Sequence, residues 1–263
     1  MEIIKRENEL KVTTLAFDLD GTLYNGDKAV DGAPEVLKQL KNKGYRLLYL
    51  TNNSSKNEIE LKNKLVRLGY EAEEEEIFSS LTVTVDFVCR EGYKNVYCLG
   101  TAGLKREIGK ACNVVEYSEK ESCKVEAIVL GLDTSIDYSR LAEALKMIDR
   151  YPEAKLIACN LDKNYPVGGG IRYPGCGAIV RAMEVACERE VDVVIGKPNT
   201  YMLSMVSDRF RLNPREIALI GDSYESDIRM AQNFGCSSFL LSTDLEKSRT
   251  NVLANIEELL LFF

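Results

Sequence analysis

Short apolar segments alternate with amphipathic segments along most of this chain, and this alternation limits its fold more than any other feature. Residues 15–17 and 45–50 have strand character, and each is followed by a stretch in which apolar residues recur at helical spacing. Strands that alternate with helices are typical of parallel sheets. The sequence therefore predicts an α/β fold, with further strands expected at residues 95–99, 125–130, 155–159, 191–195, 216–220 and 237–241.

Polar and acidic side chains follow four of the predicted strands, at the point where each strand ends. They are Asp18 and Asp20, Thr51 and Asn52, Lys197, and Asp222 and Asp227. Ligands of open α/β sheets bind in the crevice at the carboxyl ends of the strands. Each set alone is also explained by ordinary turn residues or by carboxylates in the first turn of a helix. Because all four sets follow strands, we expect them to line one site.

The residue types in this set indicate a metal and a phosphate. Clustered aspartates repel one another unless a cation neutralises them, and Mg²⁺ prefers carboxylate, carbonyl and water oxygens. Lys197 and the hydroxyl of Thr51 can hold an anionic phosphate. The chain has no histidine, which excludes Ser-His-Asp triads and HExxH zinc sites. Any chemistry must therefore use carboxylates, lysine, hydroxyls, thiols or a metal held by oxygen.

Charge and hydropathy exclude two classes of partner. The net charge is −7 and no block of Lys and Arg occurs, which argues against binding to nucleic acid. No apolar run approaches the ~18 residues that a membrane span requires. Charged residues occur within the first nine positions, which contain no apolar signal sequence. The eight cysteines are scattered without a CxxC pattern. We therefore expect a cytoplasmic protein with reduced cysteines.

These motifs resemble those of a known family. Asp18-Leu19-Asp20-Gly21-Thr22, Thr51, Lys197, and Asp222 with Asp227 are similar to the four ordered motifs of the haloacid dehalogenase superfamily. The segments 160–162, 174–177 and 196–198 further resemble its subfamily IIA, which includes NagD-like and p-nitrophenyl phosphatases. The resemblance implies a Rossmann-like parallel-sheet core formed by residues 1–80 and 178–263. A large α/β cap domain is then expected as an insertion at residues 81–177.

The resemblance also implies a reaction and roles for the residues. A phosphatase of this family hydrolyses a small phosphomonoester through an aspartyl-phosphate intermediate, with Mg²⁺ as its cofactor. Asp18 would be the nucleophile, and Asp20 would be the general acid and base. The implied ligands are Asp18, the backbone carbonyl of Asp20 and Asp222 for Mg²⁺, and Thr51, Asn52 and Lys197 for phosphate, while Asp227 would orient a metal-bound water or Lys197.

Other readings of the sequence fit less well. Dehalogenases of the superfamily lack the second aspartate, and its transport ATPases carry threonine in place of Asp20. A non-catalytic, phosphotransfer or nucleotide-binding relative stays an alternative, although no GxGxxG follows the first strand. The sequence does not identify the substrate. We expect the cap to select it through the loop at residues 160–176, which carries Tyr165 and Arg172, and we expect any homo-oligomer to form through the cap.

Overall fold

Strands and helices alternate in the computed structural model, which describes residues 11–120, 123–168, 170–242 and 251–263. The helices in these ranges are α1 (Ala33–Asn42), α2 (Glu58–Arg67), α3 (Ser80–Arg90), α4 (Ala102–Ile108), α5 (Tyr138–Arg150), α6 (Cys176–Cys187), α7 (Tyr201–Phe210) and α8 (Arg229–Phe234). The strands are β1 (Thr14–Asp18), β2 (Tyr24–Asn25), β3 (Lys28–Ala29), β4 (Arg46–Thr51), β5 (Ile77–Ser79), β6 (Asn95–Leu99), β7 (Asn113–Val115), β8 (Ala127–Leu130), β9 (Lys155–Ala158), β10 (Asn164–Gly168), β11 (Ile171–Pro174), β12 (Val193–Val194), β13 (Ile217–Gly221), β14 (Ser237–Leu241) and β15 (Asn251–Leu253). The charged N-terminal segment of the sequence lies outside the described residues.

One parallel sheet contains six of the described strands, in the order β15-β14-β13-β1-β4-β5. Strand β1 lies between β13 and β4, and all five of its residues are buried. Its side chains alternate between the two faces, so Leu15 and Phe17 pack with α1 and α2 while Ala16 packs with the opposite cluster. The predicted α/β fold is confirmed. None of the described helices has the length and apolar character needed to cross a membrane.

A second parallel sheet has the order β12-β9-β8-β6-β7. Its last strand, β12, pairs with β9, and helix α6 contacts α5. Strand β12 and all but the first two residues of α6 fall in the segment 178–263 that is predicted to belong to the core. Their contacts favour a boundary nearer residue 195 than residue 177, because a strand belongs to the sheet with which it pairs. The position of the boundary stays a prediction.

Two segments differ from the elements expected for them. The predicted loop at residues 160–177 contains an antiparallel hairpin of β10 and β11, in which the rings of Tyr165 and Tyr173 lie edge to face at 6.1 Å. The apolar residues of 252–263 predict a packing helix, but the structure has β15 at Asn251–Leu253 and a short 3-10 helix at Ile256–Leu261. Pairing with β14 covers backbone groups that would otherwise be exposed at an edge of the sheet.

Candidate active site

The carboxyl ends of three neighbouring strands, β1, β4 and β13, open into a cavity of about 690 Å³. Asp18 and Thr51 are the last residues of β1 and β4, and Asp222 directly follows β13. Because parallel strands end on the same edge of a sheet, side chains that are far apart in sequence meet here. The wall of this cavity contains all of the predicted site residues, which are Asp18, Asp20, Thr51, Asn52, Lys197, Asp222 and Asp227.

A buried lysine joins two of these aspartates. The ammonium of Lys197 donates to Oδ1 of Asp18 and, at 2.6 Å, to Oδ1 of Asp227. The side chain of Lys197 is only 2% exposed. Burial by itself lowers the pKa of Lys197, but the carboxylates of Asp18 and Asp227 more than offset this effect and raise the pKa above the usual lysine range. Lys197 therefore provides a permanent positive charge beside Asp18.

Asp227 is held from two sides. While Oδ1 accepts from Lys197, Oδ2 accepts from the backbone N–H of Ser223 at 3.2 Å. Asp227 lies in a turn of π-helix (Tyr224–Ile228), a distortion that is frequent at functional sites. A Cβ atom on Gly221 would overlap the Asp227 carboxylate, so only glycine permits this close approach. These contacts favour a role for Asp227 that acts through Lys197.

The carboxylates of Asp18, Asp222 and Asp227 form an acidic cluster, in which one oxygen of each lies within 4.8 Å of the others. The hydroxyl of Thr22 donates to Oδ2 of Asp18 at 3.1 Å and lies 3.4 Å from Oδ1 of Asp222. Partial burial and then the charge of Asp18 raise the pKa of Asp222 to about 6. The Asp227 side chain is only 1% exposed, and both of its oxygens accept hydrogen bonds, from Lys197 and from a backbone N–H. Asp18 and the exposed Asp222 are therefore the carboxylates most available to a cation.

Asp20 has a different environment from Asp18. Its Oδ2 accepts a hydrogen bond from the hydroxyl of the buried Tyr24 at 3.2 Å. Burial, and then the charge of Asp18, raise the pKa of Asp20 above the ordinary aspartate value. A raised pKa favours the protonated form, which is the form that a general acid needs.

Tyr24, which belongs to none of the sequence motifs, closes the turn that follows Asp20. Its carbonyl accepts from the N–H of Gly21 at 2.8 Å, and Gly21 has a φ of 98°, which favours glycine. A Cβ atom on Gly21 would also overlap the Asp222 carboxylate. The Asp-Gly pair at residues 20–21 was the available signal, because it predicts a tight turn that brings a nearby side chain back to Asp20.

The side chains of Thr51 and Asn52 differ in whether they still have a free hydrogen-bond donor. The Thr51 hydroxyl accepts from the N–H of Asn53 at 3.1 Å, and among the described residues no acceptor takes its proton. The amide of Asn52 is engaged at both ends. Its Oδ1 accepts from the N–H of Lys197 at 2.8 Å, and its Nδ2 donates to Asp162 at 2.9 Å. The Asn52 side chain therefore positions the Lys197 segment. Any contact between Asn52 and phosphate would then have to use the backbone N–H of Asn52.

The opposite wall of the cavity comes from the predicted cap. Asn160 donates to the carbonyl of Asn52 at 2.6 Å, which ties this wall to the end of β4. The hairpin adds Tyr165, Pro166 and Val167 to the wall. Arg172, expected beside Tyr165 as a substrate contact, is exposed and lies outside the wall. The cavity thus lies between the two parallel sheets.

Two family models match the chain on either side of its middle segment. A model described as haloacid dehalogenase-like hydrolase matches residues 15–112, which include Asp18, Asp20 and Thr51. A model described as HAD-hydrolase-like matches residues 194–257, which include Lys197, Asp222 and Asp227. The two matches thus contain all of the predicted site motifs.

Curated proteins and solved structures of similar sequence span most of the chain. A glycerol-3-phosphate phosphatase of Gallus gallus is 32% identical over 88% of this chain and 80% of its own length. A chloroplastic phosphoglycolate phosphatase of Arabidopsis thaliana is 31% identical over 88% of this chain and 68% of its own. The structure of a 4-nitrophenylphosphatase from Thermotoga maritima has a TM-score of 0.85 and 29% identity, over 94% of this chain and 96% of that one. The structure of a glycerol phosphate phosphatase from Mycobacterium tuberculosis in complex with magnesium has a TM-score of 0.79 and 28% identity. The match covers 88% of this chain and 68% of that one.

Proposed function

Because this chain belongs to the haloacid dehalogenase-like hydrolases and is a phosphatase of that family, we propose that it hydrolyses a small phosphomonoester with Mg²⁺ through an aspartyl-phosphate on Asp18. One observation carries this proposal. Two carboxyl groups in different environments line the same cavity. Asp18 is ion-paired with Lys197, whereas burial raises the pKa of Asp20. The first suits a nucleophile and the second an acid.

The proposed reaction has two steps. In the first, a carboxylate oxygen of Asp18 attacks phosphorus, and the bond between phosphorus and the ester oxygen breaks while Asp20 gives its proton to that oxygen. In the second, Asp20 takes a proton from water, whose oxygen attacks phosphorus and releases phosphate from Asp18. Lys197 and Thr51 would hold the phosphoryl oxygens, and this positioning is the largest contribution of a protein to such a transfer.

The residues present fit Mg²⁺. The donors at the open side of the acidic cluster are the carboxylates of Asp18 and Asp222, and the carbonyl of Asp20 is the third proposed ligand. Hard oxygen donors of this kind suit Mg²⁺ better than soft metals. When bound, the cation would neutralise the negative charge of the aspartates and of the phosphoryl group.

We expect the phosphatase activity to require a divalent cation absolutely. Mg²⁺ should support turnover, whereas Ca²⁺ should inhibit it because its larger, looser coordination shell suits an attacking carboxylate poorly. Asp222→Asn should raise the Mg²⁺ concentration for half-maximal activity by at least ~10-fold, since it removes a charged ligand. The measurement is release of p-nitrophenol from p-nitrophenyl phosphate across a MgCl₂ titration. Asp27→Asn, at the mouth of the same cavity, is the matched control, and full activity in excess EDTA would contradict the proposal.

In the metal-free protein, the contribution of the Asp222 proton to thermal stability should be lost as the pH rises from about 4 to about 6. The pKa of Asp222 is raised from 3.8 to about 6, so its proton binds more tightly to the folded chain than to the unfolded one. The stability that this proton confers is present at low pH and is lost as the pH rises through the folded pKa. Mg²⁺ should offset the loss. Calorimetry should therefore show a larger Mg²⁺-induced rise in Tm at pH 7 than at pH 5, and a rise independent of pH would contradict this.

A further inference from the structure

A second lysine, Lys64 of α2, lies in the wall of the same cavity. Its Nζ atom is 3.6 Å from the centroid of the Tyr24 ring, and the hydroxyl of that ring donates to Asp20. Asp20 is the residue that would protonate the leaving oxygen. The ammonium of Lys64 therefore lies near the leaving group, whereas the ammonium of Lys197 lies on the phosphate side with Asp18.

Lys64 forms no ion pair with the described residues, unlike its neighbours, although the carboxylates of Asp20 and Asp27 attract it from a longer distance. On the same helix, Lys62 pairs with Glu73 at 2.6 Å, and Arg67 lies 3.7 Å from Asp27. Among the residues that the structure describes, no carboxylate comes within ion-pairing distance of the half-buried Lys64, whose ammonium contacts an aromatic face instead. Partial burial of a cation that has no ion-pair partner in contact is unfavourable, so an anion that enters the cavity here gains more than one bound at an exposed lysine.

The other charges of the cavity wall leave this position open to an anion. Asp162 is held by Asn52 at the opposite wall, and the Asp27 side chain is 88% exposed at the mouth, where water and Arg67 screen it. Lys56, just before α2, also lines the cavity and adds positive charge. Asp20 also lies on this side, but in the proposed reaction it holds a proton when the substrate binds, so the wall that carries Lys64 and Lys56 favours a second negative group.

We propose that Lys64 binds an anionic substituent of the leaving group, so that the preferred substrate is a phosphomonoester with a carboxylate near its ester oxygen. This inference rests on the proposed phosphatase function and makes it more specific. Neither Lys64 nor Tyr24 is among the residues proposed to hold the phosphoryl oxygens. Lys64 would thus select among leaving groups and leave transfer of the phosphoryl group to Asp18, Asp20 and Lys197.

The kinetic test compares a charged and an uncharged leaving group in the same enzyme. With Mg²⁺ present, kcat/KM is measured for 2-phosphoglycolate, glycerol 3-phosphate and p-nitrophenyl phosphate in the wild type, Lys64→Gln and Lys64→Arg. We expect the wild type to prefer the carboxylated ester to glycerol 3-phosphate. Lys64→Gln should lower kcat/KM for phosphoglycolate by about 10–100-fold, mainly through KM, and change the other two by less than about threefold. Lys64→Arg should recover most of the loss because it keeps the charge.

A binding test separates failure of this inference from failure of the phosphatase proposal, because it needs no turnover. Calorimetry in the presence of Mg²⁺ compares 3-phosphonopropionate with propylphosphonate, which carries a methyl group in place of the carboxylate. The wild type should bind the carboxylated compound at least about tenfold more tightly, and Lys64→Gln should bind the two nearly equally. Lys62→Gln is the matched control, since Lys62 is on the same helix but is paired with Glu73.

The results of these two tests separate the Lys64 inference from the proposed phosphatase reaction. Equal loss for all substrates in Lys64→Gln would make Lys64 a positioning residue for Tyr24 and Asp20, and would overturn the inference. A wild type that prefers glycerol 3-phosphate, or that binds both phosphonates equally, would overturn it too. If no phosphomonoester were hydrolysed but the difference between the two phosphonates depended on Lys64, the anion site would stand and the proposed reaction would fall.

Discussion

Replacing Asp18 with asparagine is expected to abolish phosphate release, with a fall in kcat on the order of 10⁴-fold or more. The amide has nearly the shape of the carboxylate but is no nucleophile, so the first step of the proposed reaction cannot occur. The hydrogen bond that Thr22 donates at this position can persist with an amide oxygen, and we therefore expect the variant to fold. The measurement is turnover of p-nitrophenyl phosphate with saturating Mg²⁺, together with the circular dichroism spectrum of the variant.

Two further variants make this result specific to the covalent step. Asp27→Asn makes the same substitution at another aspartate, at the cavity mouth, and should keep nearly full activity. Asp20→Asn should release about one p-nitrophenolate per site in a burst, because this leaving group needs little protonation, and should then turn over slowly because no base activates water. Acid-quenched Asp20→Asn should therefore carry phosphate on Asp18. Substantial turnover by Asp18→Asn would rule out the covalent mechanism.

Strand and helix alternation predicted the parallel sheets because each strand of such a sheet is a nearly continuous apolar run. Leu15, Ala16 and Phe17 are all fully buried, and the run ends where Asp18 reaches the cavity. The hairpin of β10 and β11 was missed because its strands carry exposed polar residues, glycine and proline, which are also the residues of loops. The partner sheet of β12 could not be predicted either, since pairing between distant segments leaves no local signal.

The candidate site residues could be predicted to lie together because each follows a strand, and strand ends converge. What their side chains do there depends on partners far away in sequence. Asn52 was expected to hold phosphate, but its amide is occupied by Lys197 and Asp162, a pairing that no spacing indicates. Nothing in the sequence singles out Lys64, because a lysine on an amphipathic helix has the pattern of a solvated face. It differs from Lys62 in lining the cavity, in packing its ammonium on Tyr24 and in having no ion pair among the described residues.

Replacing Lys197 with methionine is expected to remove activity and to lower the free energy of unfolding by about 3–5 kcal/mol. The substitution keeps the volume but leaves the carboxylates of Asp18 and Asp227 together in a buried site without a positive charge. Urea unfolding at pH 7.5 in EDTA measures the loss. Lys62→Met, which breaks a more exposed ion pair, is the matched control and should lower the free energy of unfolding far less.

A second substitution identifies the source of the instability. Adding Asp227→Asn to Lys197→Met removes one of the two unpaired carboxylates, so the double variant should be more stable than Lys197→Met alone. It should remain inactive, because the phosphoryl group and Asp18 still lack the ammonium. The stability deficit of Lys197→Met should also shrink as the pH falls, since protonation of either carboxylate removes the repulsion. If the double variant were no more stable than Lys197→Met, the buried charges would not be the cause, and the role of Lys197 in the fold would be one of packing alone.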